Sequence, residues 1–186
     1  MIYLMRHGQD DETFIGGWSD VSLIEEGKEE IRDTALWIKD NLQIKQIQVS
    51  DVKRAVETAE IVSEVLKVPY TKNRFLREQS KGILNGQPKE ETYAKYPQFK
   101  EENVTVDTIY PEGESLRILY DRIKSYLKKI MEMEDDTLLI THRGVINMIY
   151  FLLNNKELDM NKKQFGVTTA SVHELDKVNK TIKKVR

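Results

Sequence analysis

The feature that most constrains this fold is an alternation of short apolar runs with longer segments of helical periodicity. Residues 2–5 and 137–141 are apolar runs of strand length, whereas 23–42 and 52–66 repeat apolar residues at helical spacing. Alternating strands and helices bury their apolar faces when helices cover both sides of one sheet. The order therefore predicts an α/β fold, a three-layer α/β/α sandwich with a mostly parallel central sheet.

The remaining segments continue this order. Further strands are predicted at 47–50, 68–76, 170–175 and 181–185, and further helices at 90–96, 115–133 and 145–153. The last helix is apolar nearly all round except for Asn147, which is typical of a buried helix. His173 alternates with apolar residues, so we expect it on the polar face of its strand.

The length of 186 residues predicts a single domain over 1–186. Residues 77–110 differ from the rest because glycine and proline recur among charged residues, which predicts a small lid-like excursion of loops with one short helix. Three residues of this excursion are candidates for lining a pocket, although surface positions fit them equally well: Lys81, Tyr93 and Tyr96.

Composition excludes several classes of function. The net charge of −2 and the mixing of acids with bases argue against nucleic-acid binding, which needs a basic surplus or stripe. The absence of cysteine excludes disulfides, thiolate zinc sites and thiol nucleophiles, and it fits a reducing cytoplasm. The apolar stretches are too short to span a bilayer, so we expect a cytoplasmic protein without a membrane partner. Nothing in the sequence predicts an oligomeric state.

Unusual polar residues follow three of the predicted strands. His7 follows the first, Arg54 lies just after the second, and His142 follows the strand at 137–141. Ligands of open α/β sheets bind beyond the carboxyl ends of the strands, where helix N-termini favour anions. Together with Arg6, these side chains predict an anion site, most naturally for phosphate, whose oxygens match the arginine fork.

Each of these residues also has a more ordinary interpretation. Arg54 alone fits a surface salt bridge, and His142 alone fits a histidine bonded to a backbone carbonyl. The tripeptide Arg6-His7-Gly8 occurs by chance. Their coincidence at strand ends favours a functional site. Because neither histidine has a carboxylate or cysteine at zinc-ligand spacing, we expect no metal and no cofactor.

Several segments match one family in its own order. They include Leu4-Met5-Arg6-His7-Gly8, Thr141-His142-Arg143-Gly144 and residues 17–23, 50–59, 76–78 and 111–115. In these segments the chain resembles the histidine phosphatase superfamily, also called phosphoglycerate mutase-like. The resemblance implies that a small phosphorylated substrate is bound and that His7 carries a phosphohistidine. It also implies that Arg6, Arg54 and His142 hold the phosphoryl oxygens.

The resemblance further implies that Glu78 protonates the leaving oxygen and then helps to activate water. A carboxylic acid beside a phosphate dianion has a raised pKa, which suits a proton donor. Glu12 and Glu114 are rival acids, although Glu114 fits better as a residue serving the start of the following helix.

Two positions depart from the family pattern. The loop at 9–16 lacks the family's asparagine, and Thr13 is a candidate replacement for its phosphate contact. Arg143 stands where the family usually has glycine. Arg143 either points to solvent or a surface carboxylate, or it contacts phosphate or a second acidic group of the substrate.

The function we expect is hydrolysis of a phosphomonoester. Phosphoglycerate mutase-type transfer is the main alternative, because residues 17–23 match the mutase branch, but the chain is shorter than a mutase that must keep water from the phosphohistidine. A phosphoprotein substrate also stays open. A non-catalytic phosphate binder is disfavoured because the nucleophile and its cationic partners are present.

Overall fold

The computed structural model describes residues 1–186, with six strands and five α-helices. In chain order these are β1 (Ile2–Arg6), α1 (Glu25–Asn41), β2 (Gln46–Val49), α2 (Lys53–Leu66), β3 (Tyr70–Lys72), α3 (Lys89–Lys95), α4 (Leu116–Glu132), β4 (Thr137–Thr141), α5 (Arg143–Leu153), β5 (Val172–Asp176) and β6 (Thr181–Lys184). None of the helices combines the length and the hydropathy needed to cross a membrane.

All strands join one sheet in the order β3-β2-β4-β1-β5-β6. The first four of these are parallel, and β5 and β6 are antiparallel additions at one edge. The predicted α/β sandwich with a mostly parallel sheet is confirmed. In the register, Arg6 of β1 pairs with Thr141 of β4, and Val49 of β2 pairs with Ile140. The residues that follow these three strands therefore emerge side by side.

Helices cover both faces of the sheet, as the alternation of side chains along β1 requires. Ile2 and Leu4 belong to a core shared with α4 and α5, whereas Tyr3 and Met5 belong to a core shared with α1 and α2. Because β1 is buried on both faces, it lies at the centre of the domain and holds the start of the following loop in place.

The predicted strand at 68–76 is wrong in its extent. β3 ends at Lys72, and one 3₁₀ turn, Arg74–Leu76, follows it. Asn73 explains the change, because its side chain accepts from Phe75 N and donates to Tyr126 Oη. Such side-chain bonds to nearby backbone compete with a strand ladder. The turn leads the chain directly to Glu78.

Residues 77–110 leave the sheet and form their own small apolar cluster. Leu84, Phe99 and Tyr110 pack there with Ile15, which comes from the loop after β1. The predicted short helix is present as α3. The two segments therefore support one another over the carboxyl ends of the strands.

His173 is fully buried, so its predicted place on a polar strand face is wrong. Ser171 Oγ donates to Thr168 O, which leaves it to accept from His173 Nε2–H at 3.0 Å. Tyr150 Oη then donates to His173 Nδ1 at 2.9 Å. The alternation of residues along β5 does not predict these bonds, because the partner Tyr150 lies on α5. Burial, and then the charge of Lys184, lowers the pKa of His173 to about 4.

We predict that the free energy of unfolding falls as the pH drops below about 6.5. Between that pH and about 4 the unfolded chain binds a proton at residue 173 that the folded chain does not, so the folded state loses stability. The slope that His173 contributes approaches about 1.4 kcal/mol per pH unit. Urea unfolding at several pH values should show a slope smaller by about that amount in His173→Gln. An equal slope in both proteins would contradict the prediction.

Candidate active site

The parallel register brings two histidines and one arginine into contact. His7 follows β1, His142 immediately precedes α5, and Arg54 lies in the first turn of α2. The two imidazole rings lie 5.1 Å apart between centroids. Arg54 Nε donates to His7 Nε2 at 3.1 Å, and Arg54 Nη2 donates to His142 Nδ1 at 3.2 Å. One guanidinium therefore bonds both rings.

The hydrogen bonds define the protonation of His7. Its Nδ1–H donates to Gly8 O at 2.7 Å, so Nε2 carries the lone pair that accepts from Arg54. Burial, and then the charges of Arg54 and Arg6, lowers the pKa of His7 well below its usual value. His7 is therefore neutral near pH 7 and carries a basic lone pair on Nε2.

His142 is neutral for similar reasons. It is fully buried, and its Nε2–H donates to Ser50 Oγ at 2.8 Å, which leaves Nδ1 to accept from Arg54. Burial, and then the charge of Arg54, lowers its pKa well below the usual value. His142 lies behind Arg54 and does not itself reach the surface of the cavity described below.

Arg54 is 2% exposed, so the surface salt bridge considered for it is wrong. Its fork also donates to Ser19 Oγ at 3.1 Å and to Gly17 O at 3.0 Å, and Asp10 lies 3.4 Å away. Ser19 and Ser50 are not among the predicted site residues. The resemblance covers both positions, but a serine alone gives no signal for binding an arginine or a histidine.

Arg6 is a second buried cation near His7. Its Nη1 donates to Val167 O at 3.3 Å, while its Nε has no partner. Burial, and then repulsion from Arg143, lowers the pKa of Arg6 to about 10. An unpartnered buried donor costs about 1–3 kcal/mol, which an anion in the cavity would recover.

Glu78 lies at the N-terminus of α5, where no side chain of the preceding residue caps the helix. Its Oε2 accepts from Gly144 N at 3.0 Å and its Oε1 from Gln79 N at 2.9 Å. A carboxylate is favoured there by the helix dipole. Residue 144 must be glycine for this contact, because a Cβ atom would overlap Glu78 Oε1.

The rival acids lie in different places. Glu114 accepts from Ser80 N at 2.9 Å and pairs with Arg122 at 3.0 Å, and it does not line the cavity. Glu12 does line the cavity, so geometry leaves it as the remaining rival to Glu78.

These groups meet in one cavity of about 170 Å³. Arg6, His7, Arg54, Glu78 and Arg143 all line it, as do Lys81 and Tyr93 of the excursion.

Two further candidate residues, Thr13 and Tyr96, lie outside the cavity, as His142 and Glu114 do. Thr13 is not part of its lining, and its hydroxyl donates to Asp11 on an exposed turn, so its predicted contact with phosphate is wrong. Tyr96 packs instead with the small apolar cluster of the excursion. No group of three or more histidine, aspartate or glutamate side chains is arranged to hold a metal ion.

Comparisons with known proteins identify the family of this chain. The sequence profile of the Histidine phosphatase superfamily (branch 1) matches residues 2–186. The uncharacterized phosphatase PhoE of Bacillus subtilis (strain 168) is 31% identical over 153 residues, which are 80% of this chain and 74% of that protein. Phosphoglycerate mutase-like protein 4 of Arabidopsis thaliana is 32% identical over 159 residues, which are 80% and 69%.

A solved structure shares the fold. Bacillus stearothermophilus YhfR superposes with a TM-score of 0.79 at 22% identity, covering 99% of this chain and 94% of that one. At 22% identity, this similarity shows a shared fold and nothing further.

We predict that inorganic phosphate binds in this cavity and stabilises the fold. At ten times its Kd, phosphate raises the free energy of unfolding by about 1.4 kcal/mol. For a chain of this length, that increase raises Tm by about 3–6 °C. Thermal unfolding of Arg54→Lys should show a much smaller shift, because an ammonium cannot replace the planar fork. Arg117→Lys, at an exposed ion pair with Asp107, is the matched control and should keep the full shift. Equal shifts in all three proteins would contradict an anion site at Arg54.

Proposed function

Since this chain belongs to the histidine phosphatase superfamily (branch 1), we propose that it is a metal-independent phosphomonoesterase that hydrolyses a small phosphorylated metabolite through a phosphohistidine on His7. The observation that carries the proposal is the state of His7. Its Nδ1–H is held by Gly8 O, and its neutral Nε2 faces Arg54 at the wall of a cavity that Glu78 also lines.

In the first half-reaction, His7 Nε2 attacks phosphorus and the bond from phosphorus to the ester oxygen breaks. Glu78 gives its proton to that oxygen, and the alcohol leaves. In the second, Glu78 takes a proton from water, the water oxygen attacks phosphorus, and the bond to Nε2 breaks. Inorganic phosphate then leaves and His7 is neutral again.

Arg54 and Arg6 supply the positive charge. Phosphoryl transfer depends mostly on positioning and charge stabilisation, and both guanidinium groups lie beside the nucleophile. When phosphate enters, Arg54 must turn N–H groups from the two histidine rings towards the phosphoryl oxygens. This movement frees Nε2 of His7 for attack and uncovers Nδ1 of His142. A phosphate dianion there favours the protonated form of His142, which then donates to an oxygen.

Mutase-type transfer is the second candidate, because one relative at 32% identity is named phosphoglycerate mutase-like. The phosphatase is favoured because the excursion is small, and a mutase must exclude water from the phosphohistidine. The relative in Bacillus subtilis is likewise named a phosphatase. Interconversion of phosphoglycerates faster than phosphate release would reverse this choice.

We predict that ³²P from a labelled phosphomonoester becomes attached to His7 as an acid-labile, alkali-stable adduct. His7→Asn, of similar size, should form no adduct and lose nearly all phosphate release, because the amide nitrogen has no basic lone pair. Activity of the unaltered protein should persist after EDTA, since arginines supply the charge. His173→Gln is the matched control, because His173 lies outside the cavity. Adduct formation in His7→Asn would refute the nucleophile, and loss of activity in EDTA would refute the metal-free mechanism.

A second prediction concerns the acid. Glu78→Gln should lower kcat on an alkyl phosphate by about 10²–10⁴-fold, because the poor leaving group needs a proton, and should affect p-nitrophenyl phosphate much less. Gly144→Ala should shift the same ratio in the same direction, since the new methyl group displaces the carboxylate of Glu78. The comparison with Glu12→Gln distinguishes the rival: a larger leaving-group effect there would transfer the acid role to Glu12.

A further inference from the structure

Three basic side chains from different parts of the chain line the cavity together with the carboxylate of Glu101, which belongs to the excursion. Lys162 Nζ contacts Glu101 Oε1 at 2.8 Å, and this ion pair joins the loop after α5 to the excursion. The hydrogen bond from Lys162, together with the charges of Lys162, Arg143 and Lys81, lowers the pKa of Glu101. All four side chains line the cavity.

Lys81 lacks an anionic partner. Its ammonium donates to the neutral Gln79 Oε1 at 2.8 Å and lies 4.0 Å from the centre of the Tyr110 ring. No carboxylate forms an ion pair with it. Burial, and then the nearby Lys162, lowers the pKa of Lys81 to about 8. A partly buried ammonium without a carboxylate is costly unless an anion joins it.

Arg143 lacks an anionic partner as well, and it forms no hydrogen bond through its side chain, although it lines the cavity. Its charge affects the pKa values of Arg6 and His7 and also that of Glu101, and all four side chains line the same cavity. The interpretation in which Arg143 pairs with a surface carboxylate is therefore wrong.

Few contacts hold the carboxylate of Glu101 in place. Its side chain is 71% exposed and its ion pair with Lys162 is the one strong contact it makes. An exposed ion pair of this kind contributes little to stability, so a competing anion can displace the carboxylate at small cost.

We propose that Lys81, Lys162 and Arg143 form a second anion-binding subsite, that the substrate carries a second acidic group that binds there, and that Glu101 occupies the subsite until the substrate displaces it. This inference rests on the proposed phosphatase function and specifies its substrate class: phosphomonoesters with a carboxylate or a second phosphate. The phosphoryl group then lies against His7, and the second acid lies towards the excursion.

The experiment compares kcat/KM within two matched substrate pairs. The first pair is 3-phosphoglycerate and glycerol 3-phosphate, and the second is 4-carboxyphenyl phosphate and phenyl phosphate. Within each pair the substrates differ by one carboxylate, which is joined to the phosphate by a flexible linker in the first pair and by a rigid ring in the second. We expect the unaltered protein to prefer the acidic member of at least one pair. Lys81→Met, which keeps the aliphatic packing on Tyr110, should lower that preference about tenfold, the value of one charge-assisted hydrogen bond.

Glu101→Gln should change the preference in the opposite direction, because it removes the internal competitor while keeping the shape of the side chain. Lys95→Met is the matched control. Lys95 also belongs to the excursion and lies 5.1 Å from the Tyr96 ring, but it does not line the cavity, so the preference should be unchanged.

The pH dependence of the unaltered protein tests Lys81 without any substitution. The groups that face its ammonium are Gln79, Tyr110, Lys162, Glu78, Glu101 and Glu114. Because the ammonium loses its proton as the pH rises through about 8, the preference for the acidic substrate should decline over that range. This arm stays informative if Lys81→Met fails to fold.

The outcomes separate the two proposals. Phosphate release without preference for either acidic substrate, or a preference that Lys81→Met and rising pH both leave intact, would overturn the subsite and leave the phosphatase standing. No phosphate release from any phosphomonoester and no adduct on His7 would overturn the phosphatase itself. Opposite effects of Lys81→Met and Glu101→Gln on the preference would support the subsite.

Discussion

The hydrogen bonds between Arg54 and the two histidines are the interaction on which the site depends. A buried guanidinium needs acceptors for its donors, and here it finds two imidazole lone pairs, one hydroxyl and one backbone carbonyl. Each of these partners is neutral, and Asp10 is the nearest carboxylate, at 3.4 Å. The site therefore holds positive charge that is only partly balanced, which favours an entering dianion.

The register of the sheet brings the residues around Arg54 close together. β4 lies between β1 and β2 with a register that ends the three strands at one level, so His7, Ser50 and His142 follow in adjacent positions. The backbone of His7 then donates to Thr141 O of β4 on one side and accepts from Ala170 N, two residues before β5, on the other. The nucleophile is positioned by backbone bonds of a fully buried strand, which is why a loop residue can be held rigidly.

The sequence predicts those parts of the site that depend on local pattern. Short apolar runs mark the strand ends, so the sequence alone is enough to group His7, Arg54 and His142 at one edge of the sheet. Contacts between residues distant in sequence leave no such pattern. The strand alternation misplaces His173 because its partner Tyr150 lies on another element. Thr13 fails for a different, local reason, since its hydroxyl bonds to Asp11 two residues earlier instead of facing the cavity.

The arrangement of charge also relates the catalytic groups to the choice of substrate. Glu78 is tied to Gly144 on α5, and Arg143 precedes Gly144 in the chain, so a single helix turn holds the proposed acid and one cation of the proposed subsite. Lys81 follows Glu78 by three residues on the excursion side. A substrate whose second acid contacts Arg143 and Lys81 would therefore be held in the same cavity as Glu78. Recognition of that acid would hold the ester oxygen beside the carboxyl group that gives it a proton, so that binding energy from the second acid contributes to positioning at the reacting bond.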